Sequence, residues 1–322
     1  MTGRVIGAGR RPAAGPVPGA RAQLRPLRAA FAAAVPPRRP GAPGVAWNEG
    51  QRRRSMATPT VTAHDIPRTS PGRAREVNEA EIRASLATMA SLDAEAWSKP
   101  TACAAWTVRD VVAHEVGQYE ELPKPWLMIT RVRRARRTHP ELGPLDGHNA
   151  IQVEDRSGVP GRQLVEDFAR IAPRGARSLA RMPSPVRRRV RTSMVFPEGK
   201  ELAEDSMEYM YDVLIARDTW MHRVDISDAT GAPLVLDAHD REIANQVVLD
   251  LALGWTGPSC LLDLTGPAGG RHRLGSGPPV VTLRADAVAF ARHLSGRPPR
   301  GALESEGDEE AADALRAARV PF

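Results

Sequence analysis

The sequence predicts a mainly α protein, a four-helix unit followed by a smaller α+β domain. Three observations carry that prediction. Apolar residues recur at helical spacing in four segments between residues 78 and 226. After residue 229 the texture shifts to short strand-like runs broken by Gly and Pro. The start of the chain lacks the large apolar side chains that a core needs.

The chain has 322 residues, enough for two domains of ordinary size. Residues 1–73 read as a disordered leader rich in Arg, Pro and Ala. Residues 1–55 hold 11 arginines, no lysine and one acid, Glu49. The run "AAFAAAV" is too short for a signal-peptide core, and no stretch approaches a membrane span. Such a leader suits a transit peptide or a nucleic-acid-binding arm, but Met56 in "SMATPTVTAHDIP" points to translation starting there. The net charge of +7 comes from the leader: residues 56–322 carry 34 basic against 37 acidic residues. A slightly acidic folded part argues against nucleic acid as a partner. Cys103 and Cys260 show no C-x-x-C spacing, so neither a disulfide framework nor a zinc–cysteine site is suggested. With no export signal or membrane span, the expected location is the cytoplasm.

The helical unit is placed at 74–228 and the α+β domain at 229–322. The first helix is expected over about 79–92, from an Asn78/Glu81 capping pair followed by Ile82, Leu86, Met89 and Leu92. Thr107 with Asp110 caps a second helix whose inner face holds Val108, Val111, Val112 and Tyr119, with His114 at its edge. A polar connection over roughly 131–160 leads to a third segment carrying Leu164, Phe168, Ile171 and Leu179, where Pro173 should break or kink the helix. The fourth helix, about 203–226, places Met207, Tyr211, Leu214, Asp218, His222 and Asp225 on one stripe. Beyond it come one more helix, the strand-like runs "CLLDLTG" and "VVTLRAD", and the helical "ADAVAFARHL".

That stripe runs from apolar to ionisable without changing direction. Asp218 and His222, four apart, project the same way and can grip one ion; a third ligand must come from another helix, and His114 is the natural one. The bland alternative is a surface pair or a hydrogen-bonded polar patch. The stripe weighs against it, because an unpartnered carboxylate in a core is heavily penalised and a cation removes the penalty. The remaining histidines suit loop or surface roles. Glu115 points about 100° away from His114 around the helix and is left off the metal. Cys103 reads as a packing residue.

The segments "AWSKPTACAAWTVRDVVAHE", "GHNAIQVEDRSG" and "YDVLIARDTWMHRVDI" resemble the mycothiol-dependent maleylpyruvate isomerase family, whose N-terminal domain has the DinB-like four-helix fold. The C-terminal part, from "VTLRADAVAFARHL" onward, is similar to that family's sterol-carrier-like domain. The resemblance implies a divalent metal, usually zinc, on His114, Asp218 and His222, with glutamate in the isomerases where this chain has Asp218. It also implies mycothiol as a thiol cosubstrate in the open fourth position, attacking a small electrophilic substrate in an S-transferase or isomerase reaction. Arg223, Asp225, Asn149 and Arg156 are candidates for binding the thiol cofactor or lining the cleft. The rival reading is a non-catalytic metal-binding or small-molecule-sensing module of the same fold. A monomer or a homodimer is expected, with no membrane partner.

Overall fold

In the computed structural model, residues 59–298 and 300–322 are described. Four helices share one core: α1 (Pro71–Ala90), α2 (Val108–Glu121), α5 (Gly161–Ser178) and α7, which runs from Met207 to Thr230. The leader expected over 1–73 lies outside the described residues as far as 58, but it ends sooner than expected. Thr60–Thr62 form β1, and α1 begins at Pro71, with the Ser70 hydroxyl accepting from the Arg73 N–H. Asn78 and Glu81 are therefore inside the helix and do not cap it. Asn78 donates to the Ala74 carbonyl, while Glu81 is buried against Arg223. A Ser-Pro start outcompetes a capping pair further along, because Pro presets the backbone angle of the first turn.

The capping box of α2 forms as its sequence predicts, Thr107 accepting from the Asp110 N–H and Asp110 accepting from the Thr107 N–H. The connection expected over 131–160 instead holds two helices, α3 (Pro125–Thr138) and α4 (Pro144–Glu154), each with Pro in its first turn. Their support is ionic. Arg131, buried on α3, donates to Glu121 at 2.7 Å, Asp155 at 2.8 Å and Glu120 at 3.0 Å. Helix α5 continues through Pro173 to Ser178, held by Phe168, Ala172 and Ala176 in the core. Gly175 lets it approach α2, since a Cβ there would stand 2.5 Å from the Tyr119 carbonyl oxygen. A short helix, α6 (Ser184–Arg189), precedes α7.

Helix α7 contains a π turn at Met210–Leu214 and ends at Gly231, whose φ of 77° suits glycine. After it come α8 (Ala238–Gly254), β2 (Cys260–Thr265), β3 (Gly270–Leu274), β4 (Val281–Asp286), α9 (Ala287–Leu294), β5 (Glu304–Gly307) and α10 (Glu309–Ala317). The sheet order is β1-β3-β2-β4-β5, with β1/β3 and β2/β4 parallel and the other two pairs antiparallel. The segment before the bundle thus supplies an edge strand to the C-terminal sheet. Among the described residues, no helix is long and apolar enough to cross a membrane.

Helix α7 lies between two cores. Ile215 and Ile226 join the bundle core, whereas Trp220, Met221 and Val224 join the one built on the sheet and α8. Most of its ionisable side chains are therefore buried too. Arg217 donates to Asp250 on α8 at 2.6 Å, and Arg223 donates to both oxygens of Glu81 on α1, at 2.7 and 2.9 Å, as well as to Asp240. Burial alone would raise the Glu81 carboxyl, but Arg223 and His239 outweigh it and hold it below 4.5. Removing one partner of such a pair costs about 3–5 kcal/mol. We expect Glu81→Gln to lose stability of that order at neutral pH in chemical denaturation. The gap to wild type should narrow as pH falls below 4.5, where the unfolded carboxylate takes up a proton first, and close once the folded carboxylate, held lower, is protonated too. A variant as stable as wild type at neutral pH would show that this pair does not anchor α7.

Candidate metal centre

Helix α2 is buried along its middle, from Val111 to Gly117, and carries His114 towards α7. Asp218 and His222 stand one turn apart on α7. The three residues expected together are together: His114 Nε2 lies 3.3 Å from Asp218 Oδ2, and His222 Nε2 lies 3.4 Å from Asp218 Oδ1. The two imidazole centroids are 5.1 Å apart, and the Trp106 ring stands 5.0 Å from one and 6.0 Å from the other. Both histidines are almost fully buried, whereas the Asp218 side chain keeps 23% of its exposure and is the more open member.

The far nitrogen of each ring is engaged elsewhere. His114 Nδ1 donates to Gln152 Oε1 on α4 at 2.7 Å. His222 Nδ1 faces Asp225 Oδ2 at 3.4 Å, with the Cys103 sulfur 4.0 Å away. Each Nδ1 thus meets an acceptor, and both Nε2 atoms turn to the same carboxylate. Gln118 also donates to Asp218. A fourth acidic group belongs here. One ligand atom each from His114, Glu115, Asp218 and His222 all lie within 4.8 Å of one another.

The charges follow from this crowding. Burial lowers the His114 pKa and Asp218 only partly opposes it, so that ring is neutral. Burial also disfavours charge on His222, but Asp218 and Asp225 outweigh it and hold the imidazole well above 6.5. Asp218 would be raised by burial, yet the two imidazoles hold it well below the usual carboxylate range. Glu115, by contrast, is pushed up to about 8 by burial and by the Asp218 charge.

The other expected site residues lie around this centre. Asp225 is fully buried and accepts from Arg297 at 2.7 Å and from Arg292 at 3.3 Å; both arginines come from the C-terminal part. The guanidinium nitrogens of Arg223 donate to Glu81, Asp240 and the Val235 carbonyl. Arg156 donates to Glu120 at 2.6 Å and to the Gln152 carbonyl, so it supports the residue that holds His114. Asn149 stands half-buried on α4 and takes no part in the hydrogen bonds of the centre. His148 and His239, expected on loops or the surface, are buried on Glu121 and Glu81.

Gln152, Gln118 and Glu115 were not among the expected residues. Gly117 is the signal for the first of them: a Cβ there would lie 2.7 Å from Gln152 Cβ, so the glycine admits α4 close enough to reach His114.

Residues 79–227 match the sequence model of the family described as the mycothiol maleylpyruvate isomerase N-terminal domain. Over those residues the chain is similar to this family. Two solved structures share the fold, the mycothiol-dependent maleylpyruvate isomerase and a histidine-to-alanine mutant of it. Each is 16% identical, with a TM-score of 0.50 over 77% of this chain and 97% of the other. Among curated proteins nothing matches. The likeness in fold covers more of the chain than the family segment, and the architecture is a DinB-like bundle followed by a smaller α+β part.

Protein free of metal should reveal the crowded carboxylates directly. Glu115 titrates near 8 when folded and near 4.5 when unfolded, so its contribution to stability is full below 4.5 and is lost as pH rises towards 8. We expect the melting temperature of metal-free wild type to fall relative to Glu115→Gln over that range. Parallel pH profiles would contradict the placement of Glu115.

Proposed function

We propose that His114, Asp218 and His222 hold a divalent cation, zinc being the first candidate, in a thiol-dependent transferase or isomerase acting on a small electrophile. One observation carries the reading: two buried imidazoles, each with Nδ1 on an outward acceptor, turn both Nε2 atoms to one carboxylate. In the metal-free protein a proton on His222 relieves this crowding at 3.3–3.4 Å, and a divalent cation bound by the same three atoms takes its place. Nitrogen and carboxylate oxygen in this number are the donor set of a catalytic zinc site, which keeps a position open. Gln152 and Asp225 orient the two rings in the way that outer partners orient metal-bound histidines.

A cation held there supplies the means to keep a thiol deprotonated at neutral pH. The protein's own residues do the rest. Trp106 walls the two imidazoles on one side, the buried rings exclude water, and the partly exposed Asp218 marks the side from which a ligand arrives. The structural relatives are mycothiol-dependent, and on that ground mycothiol is the thiol proposed here. Maleylpyruvate is accordingly the first electrophile to try.

The second reading, a metal-binding module without turnover, has an observation of its own in Glu115, a further carboxylate among the three ligands. Metal analysis and activity separate the two readings. We expect wild type purified from zinc-replete medium to carry about one equivalent of metal, and His114→Ala, Asp218→Ala and His222→Ala to lose most of it. Metal-loaded wild type should convert maleylpyruvate, or form thiol adducts with other electrophiles, only when mycothiol is supplied. Metal binding with no turnover for any thiol favours the module, and equal metal content in wild type and variants rules out the site.

A further inference from the structure

The sequence places Glu115 about 100° around α2 from His114, which would turn it away from the centre. The fold gives it nowhere else to go. Every residue from Val111 to Gly117 is buried, and Glu115 keeps only 1% of its exposure. Neither carboxylate oxygen meets a hydrogen-bond donor. The neighbouring Thr219 Oγ1 gives its own hydrogen to the Ile215 carbonyl at 3.0 Å and so offers Glu115 little. A buried carboxylate without a donor is among the costliest groups a core can hold, unless a proton or a cation relieves it.

The nearest relief is the proposed metal position. A Glu115 oxygen falls within the same 4.8 Å cluster as the ligand atoms of His114, Asp218 and His222. Ligands at about 2.0–2.2 Å from one ion in a tetrahedral set lie about 3.3–3.6 Å apart, so closing the cluster on an ion takes side-chain shifts of about 1 Å, within the reach of a glutamate rotamer. Charge points the same way. A dication held by two neutral imidazoles and Asp218 alone keeps one positive charge in a buried site. A second carboxylate brings the sum to zero and removes the uncompensated charge that burial penalises.

We propose that Glu115 is a fourth protein ligand, so that the resting centre is a set of two histidines and two carboxylates and an external thiol enters as a fifth ligand. The proposal rests on the metal reading above. It assigns to α2 a second ligand beside His114, and it supplies through Glu115 a longer reach that Asp218 lacks.

The test uses the full chain stripped of metal with a chelator, titrated with zinc in competition with a chromophoric chelator and with cobalt(II) for its d–d absorption. Wild type, Glu115→Gln, Glu115→Asp and His114→Ala are compared, and the melting temperature of each metal-free protein is recorded. We expect Glu115→Gln to bind zinc at least about 10-fold more weakly and to shift the cobalt bands, and Glu115→Asp to recover part of the affinity. Metal-free Glu115→Gln should melt at or above wild type at pH 8, which would show that the weaker binding is not misfolding. Wild-type affinity and an unchanged cobalt spectrum in Glu115→Gln, with His114→Ala impaired, would overturn the fourth ligand and leave the metal site standing. A wild type that binds neither ion overturns both.

Discussion

Helix α7 is buried on both sides, and every ionisable group it carries must be answered from another part of the chain. Arg217 is answered by Asp250, Arg223 by Glu81 and Asp240, and Asp225 by Arg292 and Arg297. These pairs tie α7 to α1 in the bundle and to α8 and the C-terminal arginines beyond it. They also fix its rotation, because turning the helix would strand several buried charges at once, each worth a few kcal/mol. Asp218 and His222 are the exception. Their answer is an assembly of acceptors, His114 and Glu115 among them, and no arginine closes it. What distinguishes the centre from the ion pairs around it is that its positive partner is a titratable imidazole, whose proton a metal cation can replace.

The same constraint explains why the C-terminal part bears on the site. Asp225, three residues after His222, is held by arginines from the end of α9 and the loop that follows, and it faces the far nitrogen of the His222 ring. On the other side, Gln152 reaches His114 from α4, through the gap that Gly117 leaves. Residues outside the four-helix core therefore orient one ring directly and hold the partner of the other. A fold shared at 16% identity is compatible with this, since packing depends on pattern and volume while the site depends on a few polar contacts.

Much of this was legible in the sequence. The single stripe from Met207 to Asp225 foretold that Asp218 and His222 point inward, and the Thr107/Asp110 box fixed where the helix bearing His114 begins. The α3 and α4 helices were hidden because ion pairs around Arg131 stabilise them and no apolar stripe marks them. The start of α1 was misplaced because Asn78 and Glu81 imitate a cap, and only the fold shows Glu81 spent on Arg223. Glu115 was missed for a geometric reason. Helical spacing tells which face a residue leaves from, but in a helix buried on every side a three-carbon side chain can still reach the neighbouring face.

The central claim is that these converging acceptors form a cation site. Diffraction from crystals soaked in zinc, recorded on either side of the zinc absorption edge, tests it most directly. The account predicts an anomalous peak about 2.0–2.2 Å from His114 Nε2, His222 Nε2 and an Asp218 oxygen. No peak there, or zinc bound only at surface carboxylates and histidines, would contradict it.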